Sequence, residues 1–407
     1  MDFEPKAREK ICQLLNRGVD IPNPGTIDIG AEVNIEQIAA QGVKIYPGCR
    51  LYGGKTVISA GCRIGYEAPV TIEDCQLGEK VELKGGFFSG SVFLEKANMG
   101  MGAHVREASI LEEQASGAHC VGLKQTILFP FVTLGSLINF CDCLMAGGTS
   151  RQKHSEVGSS YIHFNFTPDA DKTTPSLLGD VPRGVMLNQP PIFLGGQGGI
   201  IGPVRLGYGN VVAAGSILRH DCPEDNKLIC EAGNAKKVKD YVAALYPNIG
   251  RVVENNILYL ANLMALEAWY ADIRKPFLER RQFGDLIYAG VLEKLSLAKK
   301  ERIKKLKAMT EKASKSGRGE LQEQMAFIEG LFAGKIPSET QDIQMSRENF
   351  LQEFARAAGQ SKVNYLETIQ CLPAEVSAKG VKWLAGLVDN ICATVRKAMP
   401  AVYQGKK

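Results

Sequence analysis

The chain has 407 residues, with 48 Lys and Arg against 44 Asp and Glu and a formal net charge of +4. That length supports a large core and about two domains, and so small a cationic excess gives no argument for a nucleic-acid partner. The 43 glycines crowd into the stretch before residue 220, which marks the front half as the unusual one.

Eleven cysteines scatter without a CxxC pair. Cys141 and Cys143 form a CxC, but no second pair and no His-x-x-x-His stands at zinc spacing, so no metal is expected. The thiols read as reduced and half-buried, as in a cytoplasmic protein. The start, MDFEPKAREK, carries acids and no apolar run, and a signal peptide is not expected. Nowhere do about 18 apolar residues run together, which argues against a membrane span.

Residues 1–24 read as a helical cap. Ile11, Leu14 and Leu15 supply its apolar side, and Pro22 and Pro24 end it. From Ile29 a six-residue rhythm begins: Ile29, Ile35, Ile45, Leu51, Val57, Ile64, Val70, Leu77 and Leu83 each open a short segment. A period of six is neither helical nor simple strand alternation. It is a short strand and a corner repeated, with three corners closing a triangular coil. The aliphatic residue points inward onto its equivalent one coil away, and the corner calls for glycine or a small residue.

The rhythm loosens through Leu123, Leu128 and Leu134, breaks at a polar insertion over about 151–175, and resumes from Ile200 through Leu206, Val212 and Leu218. Residues 25–232 are therefore expected to form a β-solenoid carrying one inserted loop. A rigid scaffold interrupted by one polar loop is where chemistry is sought first.

Residues 233–407 change character. Helical spacing is expected around Val252–Leu263, Leu286–Leu295, Leu321–Phe332, Arg347–Ala358 and Val376–Ala398, with a basic linker near 313–319. Lys299–Lys307 reads as a solvated basic face, and Trp269 and Trp383 as packing residues.

The hexads resemble the left-handed parallel β-helix superfamily. Within it, VGSSYIHFNFTPDADK (157–172), LLGDVPRGV (177–185) and GGQGGIIGPVRLGYGNVVAAGSILRHDCPED (195–225) are most similar to the acetyltransferase half of bacterial GlmU, which makes UDP-N-acetylglucosamine. The resemblance implies a homotrimer, with acyl-CoA (acetyl-CoA first) as cosubstrate along the groove between neighbouring β-helices. It also implies a sugar-phosphate or nucleotide-sugar substrate where the insertion meets the next subunit. The uridylyl-transfer signature Leu-x-x-Gly-x-Gly-Thr-x-Met is carried by no stretch, so pyrophosphorylase activity and its magnesium are not expected.

Residue by residue, the resemblance puts Asn165 on a substrate-contacting Asn, and Phe166 on a Tyr whose stacking face it keeps. Lys172 takes a lysine position with one residue of slip. Gly196 replaces a serine that meets substrate or acyl-CoA, Ala214 matches a backbone contact to it, and Gly202 belongs to the same glycine-rich coils. The family's catalytic histidine is the departure. A gapless register, preferred because it needs no insertion, puts Asp142 on that base and Glu112 on an arginine. A second register aligns Gly117–His119 with the family's Ala-Gly-His.

Acyl transfer to an amine needs a base, and imidazole suits it with an unperturbed pKa of about 6.5. His163 shares its segment with Asn165 and, if that segment is extended, its face; His119 and Asp142 are the other candidates. Asp142 serves only where burial lifts its pKa well above about 4. His154, Arg151, Lys172 and Arg183 are candidates for holding substrate, the cations for its phosphates. Two readings remain: a GlmU-like acyltransferase, or a non-catalytic β-helix that binds a sugar nucleotide or a protein partner.

Overall fold

A computed structural model of the chain describes residues 5–162, 172–231, 238, 249–314, 324–334, 339–359 and 364–400. Its front half is a parallel β-solenoid. Strands of two to four residues pair only with their equivalents one coil away, every pair parallel. Inward residues stack down the axis, as Ile45, Ile64 and Leu83 do in register on one face. Each step is about 4.8 Å.

Three faces result. The first runs from Asp28–Ile29 through Arg50–Tyr52 to Ile217–Leu218. The second runs from Val57–Ile58 to Arg205–Leu206, and the third from Lys44–Ile45 to Leu228–Ile229. Two long strands, Val121–Leu128 and Ile138–Met145, turn the corner between the first and second faces and join them into one sheet.

The expected rhythm is offset in three places. Ile35 falls in a 3-10 turn, Ile35–Gln37, and Ile38 takes the inward position beside Ile58. Ile58, not Val57, pairs with inward Leu77, and Val57 lies beside outward Gln76. On the first face Ile72 is the partner of Leu51, so the segment opened by Val70 is a longer strand, Val70–Glu73. Corners were expected to need glycine or small residues. Many instead hold larger ones with positive φ, among them Lys80, Lys96, Gln114, Cys120 and Leu137. A left-handed residue costs roughly 1–2 kcal/mol, which the flanking ladder hydrogen bonds offset. The insertion is also smaller than 151–175: Glu156–Val157 and Ser160–Ile162 are solenoid strands in register with their neighbours.

Helix α1 (Pro5–Asn16) caps the open end with Ile11 and Leu14 buried, while Leu15 stays exposed. The helical region comprises α3 (Ile249–Trp269), α4 (Lys275–Leu278), α5 (Gly284–Ser314), α6 (Met325–Phe332), α7 (Gln341–Ala357), α8 (Tyr365–Gln370) and α9 (Ala374–Ala398). A short α2 (Val181–Gly184) sits inside the solenoid. Trp269 and Trp383 pack as expected, with Phe350 stacked near both at 6.0 and 5.8 Å.

The helices do not stand apart from the solenoid. Helix α5 lies on the second face against Gln76–Leu77, Ser91–Phe93 and Ser109–Leu111, and α3 reaches Ser176–Leu178. The sequence makes this face apolar on both sides: Val92-Phe93, Ile110-Leu111, Ile127-Leu128, Leu144-Met145 and Leu177-Leu178 are all buried. One residue of each pair fills the solenoid and the other meets helix, as in parallel sheets covered on both faces. Gly290 lets α5 come close, since a Cβ there would strike the Gln76 side chain. The basic stretch expected to be solvated is split for the same reason. Lys304 and Lys307 are exposed, but Arg302 points into the solenoid and is buried.

Replacing Ile127 by Ala on this doubly buried face should cost about 2–4 kcal/mol in urea unfolding. Thr71→Ala on the uncovered first face should stay within about 0.5 kcal/mol. Equal effects would mean the second face is not covered.

Candidate functional site

One corner gathers the strongest candidates. On the third face Gly117 aligns with Leu134, then Val157, Leu194 and Val212. Two residues further along each coil, where the chain turns to the first face, stand His119, Ser136, Ser159, Gly196 and Ala214. The four steps from His119 to Ala214 span roughly 19 Å at the coil spacing. The column is tight: a Cβ on Gly158 would lie 2.6 Å from the Gly196 nitrogen, and one on Gly195 would collide with Ala214 backbone.

His119 is exposed at this corner, and its Nδ1 lies 2.8 Å from Ser136 Oγ. That contact fixes the ring and leaves Nε2 for another partner. A groove of about 350 Å³ runs beside it over the third face, lined by Glu67, Lys84, Asn98, Ser116, Thr133 and His119. Asn98, Ser116 and Thr133 form a polar ladder in register. Glu67 accepts from the Met101 amide at 3.1 Å and faces Lys84 Nζ at 3.5 Å. Further along, the outward ladder turns apolar: Phe193, Val211 and Leu228 align and are 41%, 40% and 71% exposed.

No family model matches the chain. Over 217 residues it is 28% identical to the bifunctional protein GlmU of Thermotoga maritima, covering 53% of this chain and 42% of that protein. It is 27% identical over 245 residues to the bifunctional protein GlmU of a Geobacillus species, covering 60% and 48%. The solenoid is GlmU-like. The chain spans less than half the length of the curated relatives it matches.

Of the other candidates, the GlmU-like solenoid sets Arg151 and His154 beside the Thr133 side of the groove and Asp142, Lys172, Arg183 and Gly202 at other corners. Asp142 occupies the corner between the first and second faces, under α5. Arg302 donates to it at 2.9 Å, to Gln125 Oε1 at 3.2 Å and to the Lys172 carbonyl at 3.0 Å. Burial pushes the Asp142 carboxyl upward, and Arg302 pulls it back. It faces a guanidinium rather than an open groove. Lys172 itself is exposed. Arg151 donates to the carbonyls of Gln114 and Phe131 and to Thr133 Oγ1, closing a corner. His154 Nδ1 lies 2.7 Å from the Arg151 carbonyl. Arg183 is held by Asp180 and Asp225 at 2.7 and 2.6 Å. Gly202 precedes Pro203 between the first and second faces, away from Gly196 and Ala214. His163, Asn165 and Phe166 lie outside the described residues.

Sequence reasoning missed Ser136, Lys84 and Glu67. The signal for Ser136 was present: it stands 17 residues after His119, one coil on. It also missed a buried cluster where a π-helical turn, Tyr270–Arg274, meets the solenoid. Tyr270 donates to Glu112 at 2.5 Å, and Arg274 to Glu113 at 2.7 Å. Burial pushes the Glu112 carboxyl up to about 7, against the pull of Arg274.

A carboxyl raised in the folded chain favours the native state while protonated. Its contribution is full below the ordinary carboxyl range and fades as pH rises from about 4.5 through about 7. Glu112→Gln mimics the protonated form, so the melting temperature of wild type relative to this variant should fall across that window. A constant difference from pH 4 to pH 8 would show that folding does not raise the Glu112 pKa.

Proposed function

We propose that this chain is an acyltransferase of the β-helix family. Acyl-CoA, acetyl-CoA first, lies along the corner from Ala214 and Gly196 toward His119. A sugar-phosphate or nucleotide-sugar acceptor lies in the neighbouring groove. The observation that carries the reading is the His119–Ser136 pair, which stands at one end of a glycine-lined column of stacked corners. Backbone passing that closely suits an extended pantetheine arm, and roughly 19 Å is a length such an arm can follow.

The chemistry follows from the groups at hand. His119 Nε2 takes the proton from the acceptor amine as its nitrogen attacks the thioester carbonyl. The tetrahedral oxyanion collapses, the C–S bond breaks, and the thiolate leaves with a proton returned by the imidazolium. Ser136 is a positioning residue that holds the ring. Asn98 and Ser116 offer hydrogen bonds to a polyhydroxylated acceptor, and Lys84 offers a cation for its phosphate. The exposed Phe193, Val211 and Leu228 fit a neighbouring copy in a homotrimer, which would close the groove.

Thiol release from acetyl-CoA in the presence of a panel of amino-sugar phosphates tests the reading. His119→Ala should lower kcat by about 10²–10⁴-fold. Ser136→Ala should lower it less and shift the pH profile. No release above background with any acceptor would overturn it, and retained nucleotide-sugar binding would then favour the non-catalytic alternative.

A further inference from the structure

Along the second face the outward position is apolar coil after coil, Val92, Ile110, Ile127, Leu144 and Leu177, until Arg205 takes it. At that point a cavity of about 290 Å³ opens between the last second-face strands and helices α3 and α9. Leu177, Leu258, Val381 and Val388 give it apolar walls, and Pro182 and Pro223 border it. It is a concave, largely apolar site at the low end of the size range of ligand pockets.

Its polar edge is unevenly satisfied. The Arg205 Nε is buried without a hydrogen-bond partner. The nearest carboxylate, Asp221, is 3.8 Å from it. Asp221 already accepts from Arg251, from Asn255 and from the Arg205 backbone amide. Arg183, on the same cavity, is tied to Asp180 and Asp225. Arg205 is thus a cation 34% exposed beside apolar walls, loosely matched by Asp221 at 3.8 Å, and its planar guanidinium can take a second carboxylate.

We propose that this cavity binds a small aliphatic monocarboxylate, its tail among Leu177, Leu258, Val381 and Val388 and its carboxylate on Arg205. The negative charge of Asp389, which also lines the cavity, disfavours a dianionic phosphate head and selects a single charge. The site lies under the helices on the second face, apart from the His119 corner.

Titration calorimetry of the full chain with hexanoate, hexanol and hexyl phosphate tests this. Hexanoate should bind in the millimolar range or tighter, and the other two at least about tenfold more weakly. Arg205→Gln should weaken hexanoate about tenfold, and Val388→Trp should abolish its binding by filling the cavity. Unliganded melting of both variants establishes that they are folded; should Val388→Trp not fold, Arg205→Gln decides alone. No hexanoate binding, hexanol binding as tight as hexanoate, or unchanged affinity in folded Arg205→Gln would each overturn the proposal.

Discussion

The structure depends on one sheet face being apolar on both sides. A two-residue strand in a solenoid needs only one inward aliphatic per coil to fill the prism. The second face carries two, in Val92-Phe93, Ile110-Leu111 and Ile127-Leu128, and the outward member of each must be removed from water. Burying such a side chain is worth about 1.5–3 kcal/mol, so several stacked in one ladder hold α5 and α3 against the solenoid. The charges along this seam play a different part. Arg302 with Asp142 and Arg274 with Glu113 are buried pairs, and such pairs gain little over apolar packing while an unmatched charge is costly. They set where the helices sit more than how tightly.

This covering decides which surfaces remain for chemistry. With the second face under helix, the first and third faces and the corner between them stay open among the described residues, and that corner holds His119, Ser136, Gly196 and Ala214. The covering also sets what surrounds Asp142. Its burial lifts its pKa in the direction a base at neutral pH requires, but the same burial brings in Arg302, which opposes that rise and engages the carboxylate. In the function proposed above, the base is instead a histidine at an exposed corner, held by a serine one coil away.

Much of the architecture was legible in the residues. Ile45, Leu51, Ile64, Leu77 and Leu83 gave the solenoid because inward stacking is a local rule repeated each coil. The longer helices from Ile249 onward follow from their spacing, whereas the short Lys275–Leu278 and Tyr365–Gln370 do not. What the hexads did not resolve was phase at the widened coils, where Val57 and Ile58 are both apolar and only pairing with Gln76 and Leu77 distinguishes them. The docking of helices on the second face was also missed, although the doubled aliphatics announced it. The partners of Asp142 and Glu112 are Arg302 and Tyr270, 160 and 158 residues away, and nothing local in the chain names them. Asp142 and His119 follow from two registers of the same resemblance; the fold sets His119 beside Ser136 one coil on and Asp142 beside Arg302.

The most direct test of the covered face is zero-length carbodiimide cross-linking of the native chain read by mass spectrometry. Lys55 on the solenoid and Glu293 on α5 form an ion pair of 2.7 Å at the exposed edge of the seam. The account predicts an amide link between them that disappears on unfolding in urea. Links confined within residues 1–231 and within residues 249–400, with none joining the two, would contradict it.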